Sequence, residues 1–134
     1  MSNDKDKGKL KLQFIDAIKW HTLDDIDKFK KSGENRENDP DYKKARYSFV
    51  FAYNQIPRIQ SSASTEDLEK EFKKAIQERV EKDIDEFIKS GSKNRNNFEY
   101  QEAQKSLAFA GKRKLDEKVL QNLQQKLDQA WNLK

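Results

Sequence analysis

The chain has no cysteine, one histidine, two prolines and four glycines in 134 residues. Without cysteine there are no disulfides, no thiolate metal ligands and no cysteine nucleophile, a usage that fits a reducing compartment. The single histidine, His21, stands beside Trp20 with no distinguishing acid–nucleophile partner, so no Ser-His-Asp set is legible. No zinc spacing, dinucleotide fingerprint or EF-hand loop occurs, and Gly111-Lys112-Arg113-Lys114 lacks the upstream glycine of a phosphate loop. No apolar run approaches the roughly 20 residues of a transmembrane helix. The opening MSNDKDKGK has no apolar core of a Sec signal peptide. The expectation is a non-enzymatic chain with no cofactor, no metal and no membrane association. It would be cytoplasmic, or exported without a Sec signal.

What is present is polar and helix-forming. Charged residues make up 39% and hydrophobic ones 34%, and Lys, Glu, Asp, Gln and Leu dominate over Gly and Pro. Apolar residues recur at helical spacing, which argues against disorder. The net charge is only +4, but the C-terminal third is basic, with Lys105, Lys112, Arg113, Lys114, Lys118 and Lys126. Such a stripe could attract phosphates or an acidic protein.

The sequence also repeats itself. At an offset of 58 residues, DIDKFKKSG (Asp25 to Gly33) meets DIDEFIKSG (Asp83 to Gly91), identical at seven of nine positions. At the same offset Leu10, Phe14, Ala17 and Ile18 meet Leu68, Phe72, Ala75 and Ile76. Tyr42, Ala45, Ser48 and Phe51 meet Tyr100, Ala103, Ser106 and Phe109. This is an internal duplication, with a period longer than the common helical repeats.

Each copy predicts a helical hairpin. In copy two the first helix starts after SSAST (Ser61 to Thr65), where Ser64 and Asp67 can form a capping box. Gly33 and Gly91 are expected to end the long helices with positive φ. Asp39-Pro40 and Asn97 are expected to start the return helices. A fifth helix carries Leu123-x-x-x-Leu127-x-x-Ala130-Trp131, similar to Leu10-x-x-x-Phe14-x-x-Ala17-Ile18. It reads as the opening helix of a truncated third repeat that caps the array. The predicted fold is all-α and a single domain over 1–134. It holds two antiparallel helical hairpins in repeats 9–57 and 67–114 and a capping helix over 116–133, about five helices in all.

The copies differ where function is sought. Leu12, Ile15, Trp20 and Leu23 have charged counterparts Lys70, Lys73, Glu78 and Glu81, and they fall opposite the face that the copies share. Tyr47, Val50 and Tyr53 replace Lys105, Ala108 and Gly111. A helix apolar on two sides is expected to be covered twice. The second cover would be the fifth helix, a second copy in a homodimer, or a foreign protein. Trp20, Leu23, Tyr47 and Tyr53 are the candidate anchors for a protein partner. The two loops share an Asn-Arg pair, Asn35-Arg36 and Asn94-Arg95. These are candidates for a bidentate grip on carboxylates or phosphates, or for local capping of the preceding helix.

The function expected is that of a protein-interaction module, an inhibitor or adaptor that binds and occludes a protein partner, such as an enzyme that it inhibits. The alternative is nucleic-acid binding through the basic C-terminal third. In its duplicated helices, Lys/Asn-rich loops and small cysteine-free chain, the sequence resembles the small helical effector and effector-inhibitor proteins of intracellular bacteria. That resemblance implies a protein that binds and blocks another protein, and it carries no site residues.

Overall fold

A computed structural model describes residues 3–90 and 96–132. They form five helices: α1 (Asn3–Ser32), α2 (Pro40–Ile59), α3 (Glu66–Ser90), α4 (Phe98–Lys112) and α5 (Glu117–Asn132). No strand occurs among the described residues. No described helix is long and apolar enough to cross a membrane.

The return helices start alike. The Asp39 carboxylate accepts from the Tyr42 amide and the Asn97 side chain accepts from the Tyr100 amide, each at 2.9 Å. Each cap holds one of the orphan amides of a helix start, and Pro40 supplies a preset φ in the first turn. Two other caps differ from expectation. Helix α3 begins at Glu66, the Ser64 hydroxyl accepts from the Glu66 amide, and Asp67 is used instead in a bridge to Lys19. Gly33 has no positive φ. Its need is steric: a Cβ there would lie 2.6 Å from the Phe29 ring and 2.7 Å from the Phe29 carbonyl oxygen. Gly91 lies outside the described residues. The left-handed residue of the described chain is Lys114, with φ 58, at the turn into α5.

Packing runs between neighbours. Helix α1 lies antiparallel to α2: Ser32 hydrogen-bonds Asp41 at one end, Ser48 bonds Asp25 further along, and Ile15 packs with Ala52 and Ile56 at the other. Helix α3 lies antiparallel to α4, with Phe87 against Tyr100 and Ser106 bonded to Asp83. Helices α1 and α3 run the same way, bridged by Lys19–Asp67 at 3.2 Å and Lys30–Glu78 at 2.8 Å. Helix α5 continues that direction beside α3, through Lys126–Asp85 and Trp131–Phe87. It packs on α3 and α4 and does not touch α1. The fifth helix is therefore not the second cover of α1.

The interior is aromatic where the hairpins meet. Phe29 and Tyr42 of the first hairpin surround Phe72, with ring centres 6.1 and 5.9 Å away, and Tyr42 meets Phe109 edge-on at 4.8 Å. The same pair recurs one period later. Phe87 and Tyr100 lie 5.1 Å apart, and Trp131 of α5 stacks on Phe87 and lies tilted against Tyr100. Each ring buries a large apolar area, so these contacts carry much of the stability of a lean core.

A candidate protein-binding face on the first hairpin

The Asn-Arg pair of the first loop sits inside the molecule. Asn35 is buried, and its amide nitrogen donates to the Ile76 carbonyl and to the Ser106 hydroxyl, each at 2.9 Å. Both amide protons are thus used to tie the α1–α2 loop into the groove between α3 and α4. Arg36 bonds Glu102 of α4, and its Nε lies 3.4 Å from Glu34. Glu37 bonds Arg113, whose guanidinium also lies over the Tyr42 and Phe109 rings. The loop that sequence assigned to a partner, or to its own helix end, is a strut between the hairpins. Asn94 and Arg95 lie outside the described residues.

The four apolar anchors do not form one site. Leu23 lines a cleft toward α3 that is rimmed by Lys70, Glu71 and Lys74. Trp20 is exposed on α1, and Tyr53 is exposed on α2 beside Phe49. Tyr47 faces a different groove, between α1 and α2. That groove holds about 360 Å³ and is lined by Phe14, Ala17, Ile18, His21 and Thr22 of α1 and by Tyr47, Ser48 and Phe51 of α2. Of the presumed second face of α1, Ile15 is buried under α2, while Leu12 and Trp20 stand exposed.

Leu10 and Phe14, on the face that the two copies share, are at the surface. Leu10 is 53% and Phe14 61% exposed, against 0% and 9% for their counterparts Leu68 and Phe72. In α5, Leu123 and Leu127 are 3% and 2% exposed. The same apolar word thus occurs three times, and it is covered twice. The reason is its neighbour: Leu68 and Phe72 rest on the first hairpin, and Leu123 and Leu127 rest on the second. Among the described residues, no hairpin stands in that relation to α1. Among the described residues, nine of the eleven exposed large apolar side chains lie on α1 and α2, which concentrates uncovered apolar surface on one hairpin.

The polar groups of this face are self-satisfied. The Thr22 hydroxyl donates to the Ile18 carbonyl at 2.8 Å, with the Ser48 carbonyl at 3.3 Å. Ser48 donates to Asp25, and His21 Nε2 lies 3.3 Å from the same carboxylate. Beside them Lys43 and Lys44 form a basic rim. The counterpart acid in the second hairpin, Asp83, is buried beside Arg79 at 3.4 Å. Burial raises its pKa against the opposing pull of Arg79 and Ser106. Only 7% exposed, it belongs to the interior of the second hairpin. No cluster of three or more metal-ligating side chains occurs among the described residues.

The basic stripe is partly consumed by internal contacts. Arg113 pairs with Glu37 at 2.7 Å, Lys126 with Asp85 at 3.5 Å and Lys105 with Glu102 at 4.0 Å. The chain matches no protein-family model, no curated protein and no solved structure.

Proposed function

We propose that the chain is a protein-interaction module that binds a protein partner on the open face of the first hairpin. The residues that carry it are Leu10, Phe14 and Ala17 of α1 with Tyr47 and Phe51 of α2. The observation behind this reading is the contrast within one chain: the word that is buried in α3 and α5 is exposed in α1. Several large rings left in water form the kind of patch that marks an interaction surface, and aromatic side chains are the usual anchors of one. The module would act by covering a surface of its partner, as an inhibitor or adaptor does. The internal pairing of Arg113, Lys126 and Lys105 favours this over binding to nucleic acid.

The test is capture from nuclease-treated lysate of the source organism, comparing the wild type with a Phe14→Glu/Phe51→Glu double variant. Both side chains are exposed, so circular dichroism should report an unchanged fold. A single protein enriched on the wild type and lost on the variant is the expected result. Retention of the same protein by the variant would move the interface away from this face. Binding of nucleic acid that weakens steeply with salt would replace the reading altogether.

A further inference from the structure

The second hairpin shows what the open face is built to receive, because its own counterpart of that face is occupied. The end of the first hairpin sits there. It brings an aromatic pair, Phe29 and Tyr42, to Phe72 and Phe109. It brings the Asn35 amide to the Ile76 carbonyl and Ser106, and the Arg36 guanidinium to Glu102. Shifted back by 58 residues, the seat consists of Phe14, Phe51, the Ile18 carbonyl, Ser48 and Lys44. The rings are kept, and Tyr47 in place of Lys105 adds another. The polar half is changed.

Two replacements decide what fits. Thr22 stands where Val80 does, and its hydroxyl already bonds the Ile18 carbonyl, so no incoming asparagine is needed there. Lys44 stands where Glu102 does, so an arginine in the Arg36 position would meet an ammonium instead of a carboxylate. The first hairpin of a second copy is thereby disfavoured. The second hairpin of a second copy is blocked in another way, since Trp131 of α5 covers its aromatic pair. The nearby acid, Asp25, is engaged by Ser48 and His21, which leaves Lys43 and Lys44 to set the sign of the rim.

Building on the function proposed above, we infer that the face receives the end of a helical hairpin of a partner protein. That hairpin presents an aromatic pair to Phe14 and Phe51 and a carboxylate to Lys44. It is the internal hairpin junction with its ion pair reversed.

The probe is a synthetic helical hairpin built on residues 22–49 and closed by an added disulfide between its ends. One form keeps Arg36 and the other carries Arg36→Glu. The bridge replaces the support of α3; circular dichroism first confirms that both forms are helical and equally so, and each is then titrated calorimetrically into the full chain. The Arg36→Glu hairpin should bind about tenfold more tightly. Lys44→Glu in the full chain should reverse the order, and Phe14→Glu should abolish both. Equal binding of the two forms, binding of neither, or an order unmoved by Lys44→Glu would overturn the inference. So would sedimentation showing a dimer of the full chain that Phe14→Glu dissolves. A lysate partner lost on Phe14→Glu but kept on Lys44→Glu leaves the proposed function standing and sinks this chemistry alone.

Discussion

Phe72 and Phe14 occupy the same place in the repeat and make opposite demands on the fold. Phe72 is nearly buried, with the rings of Phe29, Tyr42 and Phe49 centred 5.5–6.1 Å away. Truncation to alanine removes a buried ring and leaves a cavity between two hairpins that are held by several other contacts and cannot fully collapse. A loss of about 3–4 kcal/mol follows, a large share of the roughly 5–15 kcal/mol of a natural domain. Phe14 is 61% exposed. Its truncation removes little buried area, and the change should stay within about 0.5 kcal/mol; alanine's higher helix propensity offsets part of even that. Urea denaturation followed by far-UV circular dichroism measures both, with equal slopes required for the comparison. If Phe14→Ala cost as much as Phe72→Ala, the α1 face would be covered in the isolated chain. The contrast between the three copies of the word would then be wrong.

Other substitutions test the remaining assignments. Asn35→Ala should cost about 1–3 kcal/mol, since it unties a buried amide from two acceptors, whereas Arg36→Ala at the partly exposed rim should cost at most about 1 kcal/mol. The same denaturation series would reject the strut if that order were reversed. Gly33→Ala should destabilise by about 1–3 kcal/mol through overlap with the Phe29 ring and carbonyl. Gly111→Ala, with nothing within 4 Å of the added carbon, should stabilise α4 by about 0.5–1 kcal/mol; shifts of the same sign in the two variants would refute the steric reading. The raised pKa of Asp83 means that the folded state holds its proton more tightly than the unfolded state does. Its contribution to stability is therefore greatest below the ordinary carboxylate value of 3.8 and is lost as pH rises through the folded pKa. Asp83→Asn should flatten that part of the stability–pH curve, and an unchanged slope would show that the group is not the source.

The helices were legible because their signals are local. Apolar spacing placed all five, and Asp39, Pro40 and Asn97 marked where the return helices begin. What escaped were facts of relation. Leu10 and Phe14 carry the same letters as Leu68 and Phe72, and only the presence of a hairpin against them decides which pair is wet. The similarity of Leu123 and Leu127 to that word was visible and marked α5 as a third opening helix, but no letter in the word says that its first instance is left uncovered. Asn35 reaches partners 41 and 71 residues away, a span that no local pattern reports. Gly33 looked like a left-handed cap because glycine serves that purpose often. Its actual constraint, closeness to its own helix, is invisible without coordinates. The two tyrosines and the two α1 anchors were grouped by their difference from the second copy, which cannot show that Leu23 lines a cleft toward α3 while Tyr47 lines the groove between α1 and α2.

Helix α3 touches every other helix: its hairpin partner α4, both helices of the first hairpin, and α5. Long helical arrays melt in pieces because each unit meets only the next, but here every piece shares the same central element. Loss of α3 would strip the first hairpin of its aromatic neighbour and α5 of its support in one step. The two hairpins and α5 should thus unfold in a single transition, seen as one peak in scanning calorimetry.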